Sequence, residues 1–224
     1  MILVDHDCGL ECELKTDQLT VLVLEKIETF VGFIERLEAQ IDKVEDKLLL
    51  YDADHSLLDV SKKCAIVFSA RDLTYQSTKI QKKLYSIVAE ETVENNLQER
   101  LVQNHAELLQ IADSIKTESE YELTYNEEFE FQNICKYLSL RLEEPSGTFC
   151  EKIMSYAKIT REFLHTEIFF LINCKAYFKK EEYACLQKWA AYQEICIVMV
   201  ERDENRLPSG LNKYIMDEDN CLIH

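Results

Sequence analysis

The sequence predicts an α/β protein: a parallel sheet with helices on both faces, interrupted by an all-helical segment in mid-chain. Three observations predict it. Residues 168–200 read IFFLINC, then KAYFKKEEYACLQKWAAYQE, then ICIVMV. The two apolar runs are rich in Ile, Val and Phe and hardly alternate, as strands covered on both faces do. Between them Tyr183, Leu186, Trp189 and Ala190 fall on one stripe of a helix. A strand, a helix and a second buried strand make a βαβ unit with parallel strands. The same succession of strand and helix recurs within the first 70 residues. Residues 74–116, in contrast, hold no strand-like run and no Gly or Pro. An apolar parallel sheet needs helices on both faces, and the rest of the chain must supply them.

Taken in order, residues 19–24 (LTVLVL) read as a buried strand. Ile27, Phe30, Val31, Ile34, Leu37 and Ile41 then keep helical spacing. The polar segment 42–47 ends that helix. Residues 48–52 (LLLYD) read as the next strand, 56–63 as a polar connection and 64–70 (CAIVFSA) as a third strand. Ile80, Leu84, Ile87 and Val88 mark one long helix. Leu97, Leu101, Leu108, Ile111 and Ile115 mark a second. An acidic stretch over 118–130 follows. Helical spacing resumes through Ile134, Tyr137, Leu138 and Leu142, until Pro145, Ser146 and Gly147 break the chain. Ile153, Tyr156, Ala157 and Phe163 mark a helix over 149–164. After the βαβ unit, CLI at 221–223 is a short strand for a sheet edge. The expected domains are an α/β head from 1–72 and 149–224, and a helical leg from 73–148.

Composition bounds the function. The chain of 224 residues is 47% hydrophobic, with only 4 Gly and 2 Pro, which favours long helices with short connections. No apolar run approaches the ~20 residues that span a bilayer. The start MILVDHDCGLECELK carries acids where a signal peptide carries basic residues. A cytoplasmic protein with no membrane partner is expected. Most of the 9 cysteines lie in apolar runs and read as small buried hydrophobes. Cys8 and Cys12 have no second half of a zinc site. The net charge of -17 opposes nucleic-acid binding unless lysines cluster locally, because phosphate contacts need cations.

The glycines, at 9, 32, 147 and 210, open no GxxxxGK[ST] or GxGxxG pattern, and Glu25 and Glu28 occupy the first strand–helix turn. No GxSxG elbow occurs. The histidines at 6, 55, 105, 165 and 224 fall in no motif and receive no role. In the acidic stretch, Glu118, Glu120 and Glu122 alternate, followed by Asn126 and Glu127. Alternate acids on an extended backbone suit a calcium ion, which takes six to eight oxygens. On the residues alone, a solvated connection between helices is the reading favoured over calcium. Lys79, Lys82 and Lys83 fall on one helix face. Lys62 and Lys63 precede a strand. Lys175, Lys179 and Lys180 follow the strand 168–172, at the edge where open α/β sheets place their sites. Ordinary surface lysines are the alternative.

The block FFLINCKAYFKKEEYACLQKWAAYQEICIVMVE, followed by LNKYIMDEDNCLI, resembles the type II-A CRISPR accessory family that acts in spacer acquisition (csn-two). The matching residues are Asn173, Ala176, Tyr177, Lys180, Glu181, Glu182, Leu186, Gln187, Glu201, Tyr214, Ile215, Asp217, Glu218, Asp219, Leu222 and Ile223. TVLVLE at 20–25 is similar as well. The resemblance implies a head related to a P-loop ATPase core but without its nucleotide site, and a helical leg. It implies a non-enzymatic homotetrameric ring that encircles double-stranded DNA, prefers free ends and binds calcium. Its expected partners are the CRISPR integrase and the RNA-guided effector nuclease. The metal residues it assigns are Glu120, Glu122, Asn126 and Glu127. The DNA-binding residues expected are Lys79, Lys82, Lys83, Lys175, Lys179 and Lys180. The chain departs from the family at Thr124, where an acid is expected, and at Asn126, in place of an aspartate. A divergent ATPase and a protein-only scaffold are the rival readings.

Overall fold

A computed structural model describes residues 1–44 and 47–223. Glu45 and Asp46 of the polar segment 42–47, and His224, lie outside the described residues. The chain divides into two compact units, Met1–Tyr75 with Glu144–His224, and Gln76–Glu143.

The first unit begins with β1 (Ile2–Asp5) and β2 (Leu10–Glu13), an antiparallel hairpin. Gly9 supplies the positive φ that its turn requires. β3 (Thr20–Leu24) follows, then α1 (Ile27–Ile41), β4 (Leu48–Tyr51), the short α2 (Val60–Lys63) and β5 (Cys64–Val67). The second unit consists of α3 (Thr78–Glu94), α4 (Gln98–Glu118) and α5 (Phe131–Tyr137). The chain returns to the first unit with α6 (Phe149–Leu164), β6 (Ile168–Ile172), α7 (Lys180–Tyr192), β7 (Cys196–Glu201), β8 (Asn212–Met216) and β9 (Leu222–Ile223).

Six strands form one sheet in the order β5-β6-β7-β3-β8-β9. All neighbours are parallel except the edge pair β8–β9. Strand β3 is central, and its TVLVL is buried at every position. Side chains alternate across a strand, so continuous burial means that both faces are covered. One face carries Leu22, Leu24, Phe170, Ile172, Val198 and Val200, packed under Phe30, Phe33 and Leu37 of α1. The other carries Val21, Val23, Phe169, Leu171, Ile197 and Met199, under α6 and α7. The expected α/β class with a mostly parallel sheet is therefore what the chain adopts.

Three local expectations change. β4 does not join the large sheet. It pairs antiparallel with β1 in a three-stranded sheet of order β2-β1-β4. Its burial alternates, with Leu48 and Leu50 inward, the pattern of a strand covered on one face. Asp5 at the end of β1 is fully buried, and Arg36 of α1 meets it with Nη2 2.6 Å from Oδ2. The connection 56–63 contains α2, capped by Asp59, whose carboxylate accepts the Ser61 amide at 3.0 Å. The helical spacing read through Leu142 stops at Tyr137. Ser139 takes a positive φ, and the Leu140 amide returns to the Cys135 carbonyl at 2.9 Å, a Schellman closure.

In the second unit the apolar face of α3 buries Ile80 and Leu84. Helix α4 buries no residue, and Val102, Leu108, Ile111 and Ile115 stand exposed along it.

Candidate nucleic-acid interface

Helix α3 starts at an N-cap, where the Ser77 hydroxyl accepts the Ile80 amide at 3.3 Å. The cap fixes the register. Ile80 and Leu84 point inward, and Lys79, Lys82 and Lys83 share the exposed side. Among the described residues none of the three lysines is in an ion pair. The first turn of α3 carries no acid. Lys79 sits there against the positive end of the helix dipole, an arrangement that costs a few tenths of a kcal/mol or more. Helix stability alone does not select a cation at that position.

The second lysine set lies in the other unit, at the carboxyl edge of the large sheet. The segment 173–179 is tied down at nearly every step. The Asn173 amide donates to the Val200 carbonyl at 2.9 Å. The Lys175 amide donates to Glu201 Oε1 at 2.8 Å, and Lys175 Nζ lies 2.6 Å from Asp203 Oδ1. The Tyr177 amide closes a 3-10 turn onto the Cys174 carbonyl at 3.0 Å. The Lys179 amide donates to Glu182 Oε2 at 2.7 Å. The Lys175 side chain is only 16% exposed and its charge is matched by Asp203. Lys179 and Lys180 are exposed and, among the described residues, in no ion pair. Lys62 and Lys63 are both engaged, with Asp59 and Glu167.

Glu201, at the end of β7, is buried to 0% exposure. Burial pushes its carboxyl up to about 7, against the Lys175 amide and the Lys175 charge, which favour the ion. Among the described residues Oε2 has no hydrogen-bond partner, and neither has Nε of the neighbouring Arg202. Arg202 Nη2 instead donates to the Glu25 carbonyl at 2.8 Å, in the turn between β3 and α1. The sequence marks Glu201 only as the acid ending a strand. In the structure the 173–179 segment reaches it through the Lys175 amide.

The acidic run leads out of α4 in an extended backbone. Glu120, Glu122, Asn126 and Glu127 are all exposed. Asn126 Oδ1 accepts the Glu128 amide at 3.0 Å, and the Glu127 carbonyl meets His105 Nε2 at 3.1 Å. Oxygen donors suit a hard cation. Among the described residues no three His, Cys, Asp or Glu side chains are grouped to hold a metal. No helix of the described residues is long and apolar enough to cross a membrane.

The family model described as CRISPR-associated protein (Cas_Csn2) matches residues 40–220, which takes in the second unit, much of the first, both lysine sets and the acidic run. No curated protein matches the chain.

Proposed function

Because this chain belongs to the Cas_Csn2 family of CRISPR-associated proteins, we propose that it is a non-enzymatic ring protein that binds the ends of double-stranded DNA during spacer acquisition. The observation that carries this reading is the unpaired lysine face of α3. A chain of net charge -17 nevertheless sets Lys79, Lys82 and Lys83 on one exposed helix side, in no ion pair among the described residues. Non-specific duplex binding needs such a face, since its affinity comes from phosphate contacts. In this reading the first unit is a P-loop-like core that has lost its nucleotide site, and the helical unit is a leg. The exposed apolar residues of α4 support a homotetramer, because patches of that kind mark protein contacts. The tetramer works in the cytoplasm beside the integrase and the RNA-guided effector nuclease.

Gel-shift titration of linear against covalently closed circular duplex, with light scattering in parallel, tests the reading. A ring that threads from ends shifts linear DNA at lower protein concentration and scatters as four copies of the 26.3 kDa chain. Equal affinity for both DNA forms, or a monomeric mass at micromolar concentration, removes the ring. Nucleotide turnover would instead favour a divergent ATPase. Neither DNA binding nor turnover would leave a protein scaffold.

Calcium belongs to this reading only as a ligand of the assembled protein, since the single run does not gather its acids. A cation held between copies at Glu120, Glu122, Asn126 and Glu127 stabilises the tetramer by RT ln(1 + [L]/Kd), about 2.7 kcal/mol at a hundredfold excess over Kd. The expected result is a melting temperature a few degrees higher in calcium than in chelator, measured on the tetramer. Superimposable melting curves leave the run as a solvated connection.

A further inference from the structure

We propose that Tyr177, with Lys179 and Lys180, forms a stacking step for an unpaired nucleotide, such as one at the frayed or overhanging end of a duplex; the proposal rests on the DNA-end reading above. Tyr121, Tyr137, Tyr177 and Tyr192 are the exposed tyrosines of the described residues. Of these only Tyr177 is backed by another ring. Its centroid lies 4.7 Å from that of Phe149, which meets Phe178 at 5.5 Å, and Phe178 meets Tyr183 at 5.3 Å. The ring is thus braced from behind while remaining 51% exposed in front.

The backbone beneath the ring is equally fixed. Lys175 binds both buried Glu201 and Asp203, and the Tyr183 hydroxyl reaches the Lys175 carbonyl at 3.4 Å. A flat ring held in place before its ligand arrives loses little freedom on binding, which is where stacking affinity is usually lost. Every base has a π face, so such a step accepts any sequence. The local charge favours a single nucleotide over a duplex backbone. Lys179 and Lys180 are free to meet one phosphate, but Glu181 and Glu182 follow directly. Two cations beside two acids do not make a groove that tracks a phosphate chain, whereas they tolerate one nucleotide stacked at the rim. The edge is also where parallel α/β sheets place their ligands.

The test is fluorescence anisotropy with the full-length protein and three probes: a blunt duplex, the same duplex with a short thymidine overhang, and a free thymidine oligonucleotide. The overhang duplex is expected to bind more tightly than the blunt one. Tyr177→Ala is expected to remove that preference, a loss of about tenfold or more, with blunt-duplex affinity unchanged. Tyr177→Trp retains it. Tyr177→Leu, which keeps the apolar contact with Phe149 and so guards against misfolding, loses it. Equal binding of blunt and overhang duplexes by the unaltered protein overturns the step, as does a preference that survives both Tyr177→Ala and Tyr177→Leu. Tyr177-dependent binding of the free oligonucleotide without duplex binding upholds the step while the DNA-end reading fails. Binding of none of the three probes overturns both.

Discussion

Replacing Glu201 by Gln is expected to flatten the pH dependence of stability and to favour the variant above pH 7. In the folded chain the carboxyl titrates at about 7, raised from 4.5 by burial. The unfolded chain therefore gives up this proton at lower pH than the folded chain does. Stability from Glu201 is fully present below 4.5 and is lost as pH rises through 7. The difference corresponds to about 3 kcal/mol between the two limits. Neighbouring groups do not blur the window. Burial and the Glu201 charge hold the Cys174 thiol up at about 12, and the same two causes hold the Tyr183 hydroxyl up at about 12. The hydrogen bond from Lys175 keeps Asp203 below the usual carboxylate range, so it stays ionised. Gln keeps an oxygen for the Lys175 amide and carries no charge. Urea denaturation at pH 5 and pH 8 should show the unaltered protein losing about 2.5 kcal/mol relative to Glu201→Gln across that interval. Parallel behaviour of the two proteins would mean that the carboxyl is hydrated and that the 173–179 segment does not seal it.

The parts of the fold legible in the sequence are those whose burial is complete. IFFLI and CIVMVE announce β6 and β7 because both faces of those strands are covered, leaving no room for polar residues. The hairpin of β1 and β2 escapes notice for the opposite reason. Its LECE alternates leucine and cysteine inward with glutamates outward over only four residues, too short a pattern to separate from a loop. β8 hides likewise, since NKYIM begins with two polar residues. β4 is visible as a strand, yet its sheet is not, because LLLY pairs with β1, whose partner residues lie 43 to 49 positions earlier. For the candidate site, spacing alone placed Lys79, Lys82 and Lys83 on one helical face. Spacing carries nothing about pairing across 28 positions, so the engagement of Lys175 by Asp203 was invisible. The same holds for Glu201, which looks like any surface acid until the chain closes over it.

Charge reversal of Lys79, Lys82 and Lys83 together is expected to produce the largest effect on DNA binding. If each lysine neutralises one phosphate, the three contribute a slope of about -2.7 to log K against log [salt] in each engaged subunit. A fourfold rise in salt then weakens the unaltered protein about fortyfold more than the variant. At low salt the variant loses affinity by at least that factor, because glutamates repel the backbone as well as failing to hold it. The fold should survive. All three positions are exposed, none takes part in an ion pair among the described residues, and Lys79→Glu puts an acid at the start of α3, where the helix dipole favours it. Filter binding to one linear duplex at a series of salt concentrations, with light scattering on the same samples, reads the result. Unchanged affinity and slope would remove the α3 face from the DNA path. Loss of the tetramer without a change in the slope of the remaining complex would make the three lysines part of a subunit contact. Only a shallower slope in an intact tetramer supports their facing DNA, and the sequence of the duplex should not alter it, since phosphates carry no base identity.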